Sequence, residues 1–246
     1  MGKKITVIGI GPGSYDMLTI RASKALEKSS VIVGYHVYVD LLREHYPDKR
    51  MLTTPMRKEE ERCEMALKEA DAGENVAFVC SGDSGIYGMA GLIYEMAVNY
   101  PDVEIEVIPG ITAASSGAAV LGAPLIHDTA LISLSDLMTP WEKIEMRLKN
   151  AAAAGFVIVL YNPSSKKRSD YLEKACDILL SVLSSDTVCG TVSNIGREGE
   201  EMRLYSLGEL RQTKVDMFTT VFIGNSSTKV VGGRMVTPRG YALERE

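Results

Sequence analysis

Residues 4–14 read Lys-Ile-Thr-Val-Ile-Gly-Ile-Gly-Pro-Gly-Ser, and this segment sets the architecture of the chain. Its first six residues are a β-branched apolar run that ends in glycine, which predicts a strand buried on both faces. A helix is predicted after the glycine-rich loop, because apolar residues then fall at helical spacing at Leu18, Ala22, Ala25 and Leu26. A buried strand, a glycine loop and a helix in this order indicate an α/β fold with a parallel sheet.

The same alternation continues to about residue 120. Strands are predicted at 31–34, 75–80 and 103–108, with helices at 58–70, at 85–99 and after Gly110. The run Leu121-Gly-Ala-Pro-Leu125 interrupts the pattern and predicts a boundary between domains at 1–120 and 121–246.

The second half has a different pattern. Strands are predicted at 129–134, 156–160 and 187–192, with helices from Pro140 and at 168–183, and short strands at 202–205, 219–223 and 229–231. Thr139-Pro140-Trp141-Glu142 predicts a capping box at the first of these helices. We therefore expect two α/β domains, the first with a mostly parallel sheet and the second with a mixed sheet.

Composition limits the functional class. The 246 residues are 46% hydrophobic and 24% charged, which is typical of a soluble globular protein. No apolar run approaches the roughly 18 residues of a membrane span, and Met-Gly-Lys-Lys is not followed by a signal sequence, so we expect a cytoplasmic protein without a membrane partner. The net charge of −5 argues against nucleic-acid binding.

Cysteine and histidine patterns do not predict a metal site. The four cysteines contain no Cys-x-x-Cys pair, and two of them, Cys63 and Cys176, fall at helical spacing with apolar residues, so we predict buried reduced thiols. The three histidines do not fall at metal-ligand spacing. We expect no protein-bound metal.

Three predicted strands end in glycine-rich loops, at residues 9–14, 80–88 and 108–114. The first does not match a dinucleotide loop, because Pro12 removes a backbone donor and Val33-Gly34-Tyr35 stands where a ribose-binding acid is expected, which disfavours an NAD-dependent dehydrogenase. In the second, Asp83 is placed either to accept from a ligand hydroxyl or amine, or to cap the next helix. Together the loops indicate a sizeable organic ligand.

The loops together resemble the tetrapyrrole methylase superfamily, which transfers a methyl group from S-adenosylmethionine. The shared motifs are Gly-x-Gly-Pro-Gly at 9–13, Ser-Gly-Asp-x-x-x-Tyr-Gly at 81–88 and Pro-Gly-x-Thr-Ala at 109–113. Further segments are similar to the precorrin-3B C(17)-methyltransferase and cobalt-factor III methyltransferase group of cobalamin biosynthesis. They are the segments 34–38, 85–90, 133–142, 160–163 and 194–197.

The resemblance implies a homodimer of two-domain subunits with the cofactor in the cleft between the domains. Carried over by position, the cofactor-binding residues of the first domain are Gly11, Pro12, Gly82, Asp83, Ile86, Thr112 and Ala113. Those of the second domain, around the adenine, are Leu160, Tyr161, Asn194, Thr219 and Thr220. The implied substrate is a corrinoid tetrapyrrole, with or without cobalt.

Methyl transfer from a sulfonium needs alignment more than acid–base chemistry, but the ring contraction of this group needs a proton donor or acceptor. Candidates are Asp136, Ser135, His127 and Tyr38. The structural alternatives for these residues are helix capping, turn formation and hydrogen bonding in the core. The basic run Lys166-Lys167-Arg168 opens a predicted helix and is interpreted as a clamp for substrate carboxylates, or alternatively as a solvated charge run.

Other functions remain open from sequence. Within the superfamily they are a uroporphyrinogen methylase, another precorrin methylase and diphthine synthase. Outside catalysis, a regulatory or scaffold protein that binds a nucleotide would use the same loops. Product formation from labelled S-adenosylmethionine separates an enzyme from a scaffold.

Overall fold

The computed structural model describes residues 3–165 and 167–241. The chain divides into two compact units, Met1–Ala113 and Ala114–Glu246, each containing a sheet and helices, which confirms the α/β class. The predicted assignment of functional domains to 1–120 and 121–246 stays a prediction. Among the described residues, no helix is long and apolar enough to cross a membrane.

The first unit alternates strands and helices. Its elements are β1 (Lys4–Gly9), α1 (Ile20–Lys28), β2 (Val31–Tyr35), α2 (His36–Asp40), β3 (Arg50–Thr54), α3 (Glu59–Asp71), β4 (Asn75–Cys80), α4 (Ala90–Met96) and β5 (Glu104–Ile108). The strands form one sheet in the order β3-β2-β4-β1-β5, and every pairing is parallel.

Side chains of this sheet alternate between two buried faces. On β1, Ile5 and Val7 pack with α3 and α4, whereas Ile8 packs on the opposite face with α1 and α2. Burial on both faces explains why the central strands are continuous apolar runs in the sequence.

The sheet order places the three glycine-rich loops next to one another. Because β1 lies between β4 and β5 and all three run parallel, their carboxyl ends meet at one edge. The chain leaves β1 toward α1 on one face and leaves β4 toward α4 on the other. Such a divergence opens the crevice in which parallel α/β sheets bind ligands.

The second unit is a mixed α/β fold. Its elements are α5 (Ala113–Leu121), which begins at the last residue of the first unit, β6 (Gly122–Ala123), β7 (Thr129–Ser133), α6 (Trp141–Ala153), β8 (Val157–Tyr161), α7 (Tyr171–Leu180), β9 (Val188–Ser193), β10 (Glu201–Ser206), α8 (Leu207–Leu210), β11 (Thr219–Ile223), β12 (Lys229–Val231) and β13 (Arg234–Val236). A five-stranded sheet has the order β10-β9-β11-β8-β7, in which only β7 and β8 are parallel. A three-stranded sheet joins β12, β13 and β6.

Several elements differ from the sequence-based expectation. The short α2 and β3 were not predicted, because five residues carry too little helical periodicity and β3 is a partly exposed edge strand with polar residues. The helix predicted at 85–99 begins at Ala90, since residues 85–89 form a loop. The helix predicted from Arg168 begins at Tyr171, so the basic run precedes it.

The predicted capping box at residues 139–142 is wrong. The N-cap of α6 is Pro140, whose carbonyl accepts the first helical hydrogen bonds from Lys143 and Ile144. Pro140 has no side-chain acceptor, and the helix has no side-chain cap. The sequence motif was therefore displaced by one position from the true helix start.

The four cysteines are buried free thiols, as predicted. Burial raises the pKa of Cys63 and Cys176 to about 12 and that of Cys80 to about 11, and it raises the pKa of Cys189 as well. Burial keeps reagents away from these thiols. The raised pKa values keep them protonated, and a protonated thiol is unreactive because the thiolate is the nucleophile.

We therefore expect the folded protein to resist alkylation. Burial raises the pKa of each thiol well above 8, so at pH 8 the thiols stay protonated and unreactive. Iodoacetamide should leave all four unmodified, as read by intact mass, and should label all four in guanidinium chloride. Rapid labelling of any cysteine in the folded protein would contradict the burial described here.

Candidate functional site

Three glycines bring the loops after β1, β4 and β5 into backbone contact. A Cβ on Gly110 would lie 2.1 Å from the Gly82 carbonyl oxygen, and one on Gly9 would lie 2.6 Å from the Gly110 nitrogen. Gly11 and Gly82 exchange backbone hydrogen bonds of 3.1 and 2.7 Å, and both have positive φ. Glycine is required at Gly9 and Gly110 because no side chain fits between the loops, and it is favoured at Gly11 and Gly82 because of their positive φ.

The Asp83 carboxylate ties two of these loops together. One oxygen accepts from the backbone N–H groups of Gly85 (2.8 Å) and Ile86 (3.0 Å), and the other accepts from the Gly110 N–H (2.9 Å). Asp83 does not cap the next helix, since α4 begins at Ala90. The contact of Asp83 with a ligand stays a prediction. The hydrogen bonds by which Asp83 links the two loops could not be predicted from residue spacing.

Tyr87 is held in an unusual backbone conformation within the second loop. Its φ is +53°, and the bend around it is closed by Gly88, where a Cβ would lie 2.3 Å from the Ser84 carbonyl oxygen. The Ser84 side chain is fully buried and donates to the Ile108 carbonyl (3.1 Å). A bulky residue with positive φ is rare and is often found where function requires it. The half-exposed Tyr87 ring therefore lies on the same loop as Gly82 and Asp83, and its backbone conformation could not be predicted from the sequence motif.

All the cofactor-binding residues predicted in the first unit lie on these three loops. The sheet order brings the loops together, although the residues span about a hundred positions. They are Gly11, Pro12, Gly82, Asp83, Ile86, Thr112 and Ala113.

A buried arginine supports the neighbouring edge of the same sheet. Arg62 is 3% exposed and donates to the Thr54 hydroxyl (2.9 Å) and the Pro55 carbonyl (3.0 Å). Its guanidinium lies 5.7 Å from the centroid of Tyr35, whose ring meets that of Tyr38 edge-on at 5.1 Å. Arg62 therefore holds the segment that carries Tyr38, a predicted acid–base candidate. Sequence reasoning missed it because an arginine among helical glutamates is typical of a solvated surface.

In the second unit, the predicted adenine-binding residues lie at one end of the five-stranded sheet. Tyr161 ends β8, Asn194 follows β9, and Thr219 begins β11, which runs antiparallel to both strands. The Tyr161 hydroxyl accepts from the Ala114 N–H (2.9 Å), and the Thr219 hydroxyl contacts Ser193 (2.8 Å). The sheet thus collects residues that are far apart in sequence.

These residues face opposite sides of that sheet. Leu160 is fully buried in the core beneath α6 and α7, and Val221, two residues after Thr219, belongs to the same core. Neighbouring strand residues point to opposite faces, so Tyr161 and Thr220 lie on the other side. A ligand on one face cannot contact all of these side chains, and Leu160 could offer only its backbone. The predicted role of each residue stays a prediction.

Two further predicted residues, Ser135 and Asp136, meet Arg168 in a polar cluster. The Arg168 Nη1 donates to the Ser135 hydroxyl (2.9 Å) and to the Asp136 carboxylate (3.1 Å), whose other oxygen accepts from the Tyr171 hydroxyl (2.5 Å). Asp136 and Arg168, which are predicted to have separate roles, therefore form one ion pair that residue spacing could not predict.

The hydrogen bond from Tyr171, together with the Arg168 guanidinium, holds the pKa of Asp136 below its ordinary value. The Asp136 carboxylate is therefore ionised near neutral pH and already accepts two strong hydrogen bonds. Such a carboxylate is poorly suited to exchange a proton with a substrate.

The remaining candidates are dispersed or lie outside the described residues. The His127 Nε2 hydrogen-bonds with the Pro238 carbonyl (2.8 Å). Lys167 is exposed in the loop before α7, and Lys166 lies outside the described residues. Within residues 3–165 and 167–241, no cluster of three or more His, Cys, Asp or Glu side chains could hold a metal ion.

The glycine contacts lead to a stability prediction. Gly110→Ala should lower the free energy of unfolding by at least about 2 kcal/mol, because backbone atoms must move to admit the methyl group. Gly91→Ala is a matched control at an exposed position of α4, where a Cβ meets nothing within 4 Å, and it should stabilise by up to about 1 kcal/mol. Urea unfolding measures both, and equal stability of Gly110→Ala and the parent would contradict the packing.

Comparison with known proteins agrees with this geometry. Residues 4–211 match the model of the Tetrapyrrole (Corrin/Porphyrin) Methylases. The chain is 48% identical to a probable cobalt-factor III C(17)-methyltransferase of Salmonella typhimurium (97% of this chain, 100% of the relative) and 40% identical to a precorrin-3B C(17)-methyltransferase of Sinorhizobium sp. (96% of each). The crystal structure of the methyltransferase CobJ superposes with a TM-score of 0.87 at 34% identity, over 95% of this chain and 99% of that one. The chain belongs to the tetrapyrrole methylase family.

Proposed function

We propose that this protein is an S-adenosylmethionine-dependent C-methyltransferase of cobalamin biosynthesis that methylates carbon 17 of cobalt-factor III or precorrin-3B with ring contraction. The geometry of the loops, combined with similarity to named relatives, supports this assignment. The strand-end loops are built from glycine contacts and carry the motifs of a methylase. The chain also matches, over at least 96% of its length, relatives whose names give C(17) methylation of cobalt-factor III or precorrin-3B.

The loops of the first unit suit a nucleoside cofactor with a long polar chain. Gly11 and Gly82 are buried and carry no side chain, whereas Thr112 and Ala113 are small and partly exposed, so a ligand can approach the main chain of the third loop closely. We assign the methionine and ribose portions to these loops, together with Pro12, Asp83 and Ile86. The adenine is assigned to Tyr161, Asn194, Thr219 or Thr220, and the backbone of Leu160.

S-adenosylmethionine supplies a methyl group that is already activated on a sulfonium. The protein has to hold a substrate carbon in line with it and to exclude water, which needs a rigid site more than a nucleophile. The Asp83 tie and the glycine contacts supply that rigidity on the side of the first unit.

Ring contraction requires proton movement at an oxygen substituent. Tyr38, His127 and Ser135 remain our candidates for this step. Asp136 is the weakest of the four predicted candidates, because Tyr171 and Arg168 already bind its carboxylate.

The substrate assignment favours the cobalt-loaded macrocycle, because the relative named for it is 48% identical and the one named for precorrin-3B is 40% identical. Cobalt is then part of the substrate and not a resident metal. We assign Arg168, Lys167 and Lys166 to the carboxylates of the macrocycle. A homodimer in the cytoplasm is the expected working form.

The reaction can be tested with ¹³C-methyl S-adenosylmethionine and separate preparations of cobalt-factor III, precorrin-3B and uroporphyrinogen III. We expect a ring-contracted product one methyl group heavier from the first two, with the label at carbon 17 by NMR. Methylation of uroporphyrinogen alone would assign another reaction of the family. Binding of S-adenosylhomocysteine without any product would indicate a regulatory protein.

Asp83→Asn should weaken cofactor binding. An amide group at this position places N–H donors against the N–H of Gly110 or those of Gly85 and Ile86, which leaves donors unpaired. An unmet hydrogen bond costs about 1–3 kcal/mol, so we expect the Kd for S-adenosylhomocysteine to rise about tenfold or more in calorimetry.

Asp102→Asn is the matched control, because the Asp102 side chain is largely exposed and pairs with Lys3 at the surface. Its Kd should equal that of the parent. An Asp83→Asn variant that binds S-adenosylhomocysteine as tightly as the parent would show that the tie does not shape the cofactor site.

A further inference from the structure

Arg168 has a guanidinium group that bonds to the described residues through only some of its N–H groups. Its Nε donates to the Ser165 hydroxyl (3.1 Å), and its Nη1 donates to the Ser135 hydroxyl and the Asp136 carboxylate. A guanidinium has five N–H groups, so these three bonds leave the two on Nη2, which have no partner among the described residues. The side chain is 18% exposed, which leaves access for a ligand.

The group is held in one orientation by a frame of side chains. Tyr171 donates to the second Asp136 oxygen, and its ring lies 5.9 Å from the Arg168 guanidinium carbon. Trp141 packs on Tyr171 with ring centroids 4.7 Å apart. A guanidinium fixed in this way loses little conformational freedom when it binds an anion.

Another arginine of the same unit shows the contrast with a purely structural ion pair. Arg211 reaches Asp177 through both Nε and Nη2 and contacts Glu173 through Nη2, so two carboxylates pair with this one guanidinium. Within the described part of the chain, Arg168 is paired with one carboxylate, through Nη1. Its frame neutralises one side of the fork and leaves the other side available for a second anion.

We propose that Nη2 of Arg168 binds a side-chain carboxylate of the macrocyclic substrate, and that Asp136, Ser135, Ser165 and Tyr171 are positioning residues that hold Arg168. The proposal rests on the proposed function and deepens it. It also gives Asp136 a task other than proton transfer. The carboxylate of S-adenosylmethionine is the alternative source of this anion, and the two sources separate in a binding assay.

The test compares steady-state kinetics with cofactor binding. Arg168→Met should raise the KM for the corrinoid about tenfold or more, through loss of a charge-assisted hydrogen bond, with an unchanged Kd for S-adenosylhomocysteine. Arg168→Lys should restore little, because an ammonium cannot reach the two serines and a ligand together. Arg211→Met is the matched control and should leave both constants unchanged.

A double-mutant cycle tests the positioning role. Asp136→Asn alone should raise the KM for the corrinoid with little change in kcat, and it should have no further effect in an Arg168→Met background. Tyr171→Phe removes only the hydroxyl that holds Asp136, so it should move KM in the same direction by less. If thermal unfolding shows that Arg168→Met does not fold, the KM of Tyr171→Phe for the corrinoid tests the proposal instead.

The results for Arg168→Met and Asp136→Asn can each contradict the proposal. An unchanged KM in folded Arg168→Met overturns it, as does a weaker Kd for S-adenosylhomocysteine with an unchanged corrinoid KM. A fall in kcat on Asp136→Asn that persists in the Arg168→Met background shows direct catalysis by Asp136 and overturns its positioning role. Failure of the proposed function is recognised separately, because the parent protein would then form no methylated corrinoid.

Discussion

Close contact among the backbones of Gly9, Gly82 and Gly110 is the constraint that organises the first unit. This contact requires three parallel strands to end side by side, with glycine where the loops that follow them touch. The Asp83 carboxylate then locks two of the turns by accepting from three backbone N–H groups. Because these donors would otherwise be unpaired, the carboxylate is part of the scaffold of the site.

The candidate sites of the two units are built by different means. The first uses main chain and glycine, which suits close approach of a ligand to the backbone. The second uses charged and hydroxyl side chains around Arg168, which suit recognition of an anion. This difference is consistent with an acidic protein that acts on a polycarboxylate, since positive charge is needed only locally.

Much of the fold could be predicted from sequence. The central strands are buried on both faces, so β1 and β4 appear as uninterrupted apolar runs with the observed limits. The glycine loops were recognisable because glycine at a strand end commonly marks a tight turn or a close backbone approach. The start of α4 could not be predicted, since it depends on Gly88 packing against Ser84, which is a contact between loop atoms.

The functional residues were predictable only where the motif itself carries the geometry. Asp83 was predicted as a cofactor-binding residue, but its bond to Gly110 spans 27 positions and depends on the strand order. The pairing of Asp136 with Arg168 joins two loops after neighbouring strands, and Arg62 is buried by contacts that helical periodicity does not show. Long-range contacts of polar side chains follow from topology and are not encoded in local spacing.

Binding of the cofactor by the backbone of the three joined loops can be measured by hydrogen exchange with and without S-adenosylhomocysteine. We expect slower exchange on ligand binding in peptides that cover residues 81–88 and 109–113, because a bound ligand shields their N–H groups from water. α6, which carries none of the predicted cofactor-binding residues, should show no change. Tight binding with unchanged exchange in both loop peptides would contradict a cofactor site built from these loops.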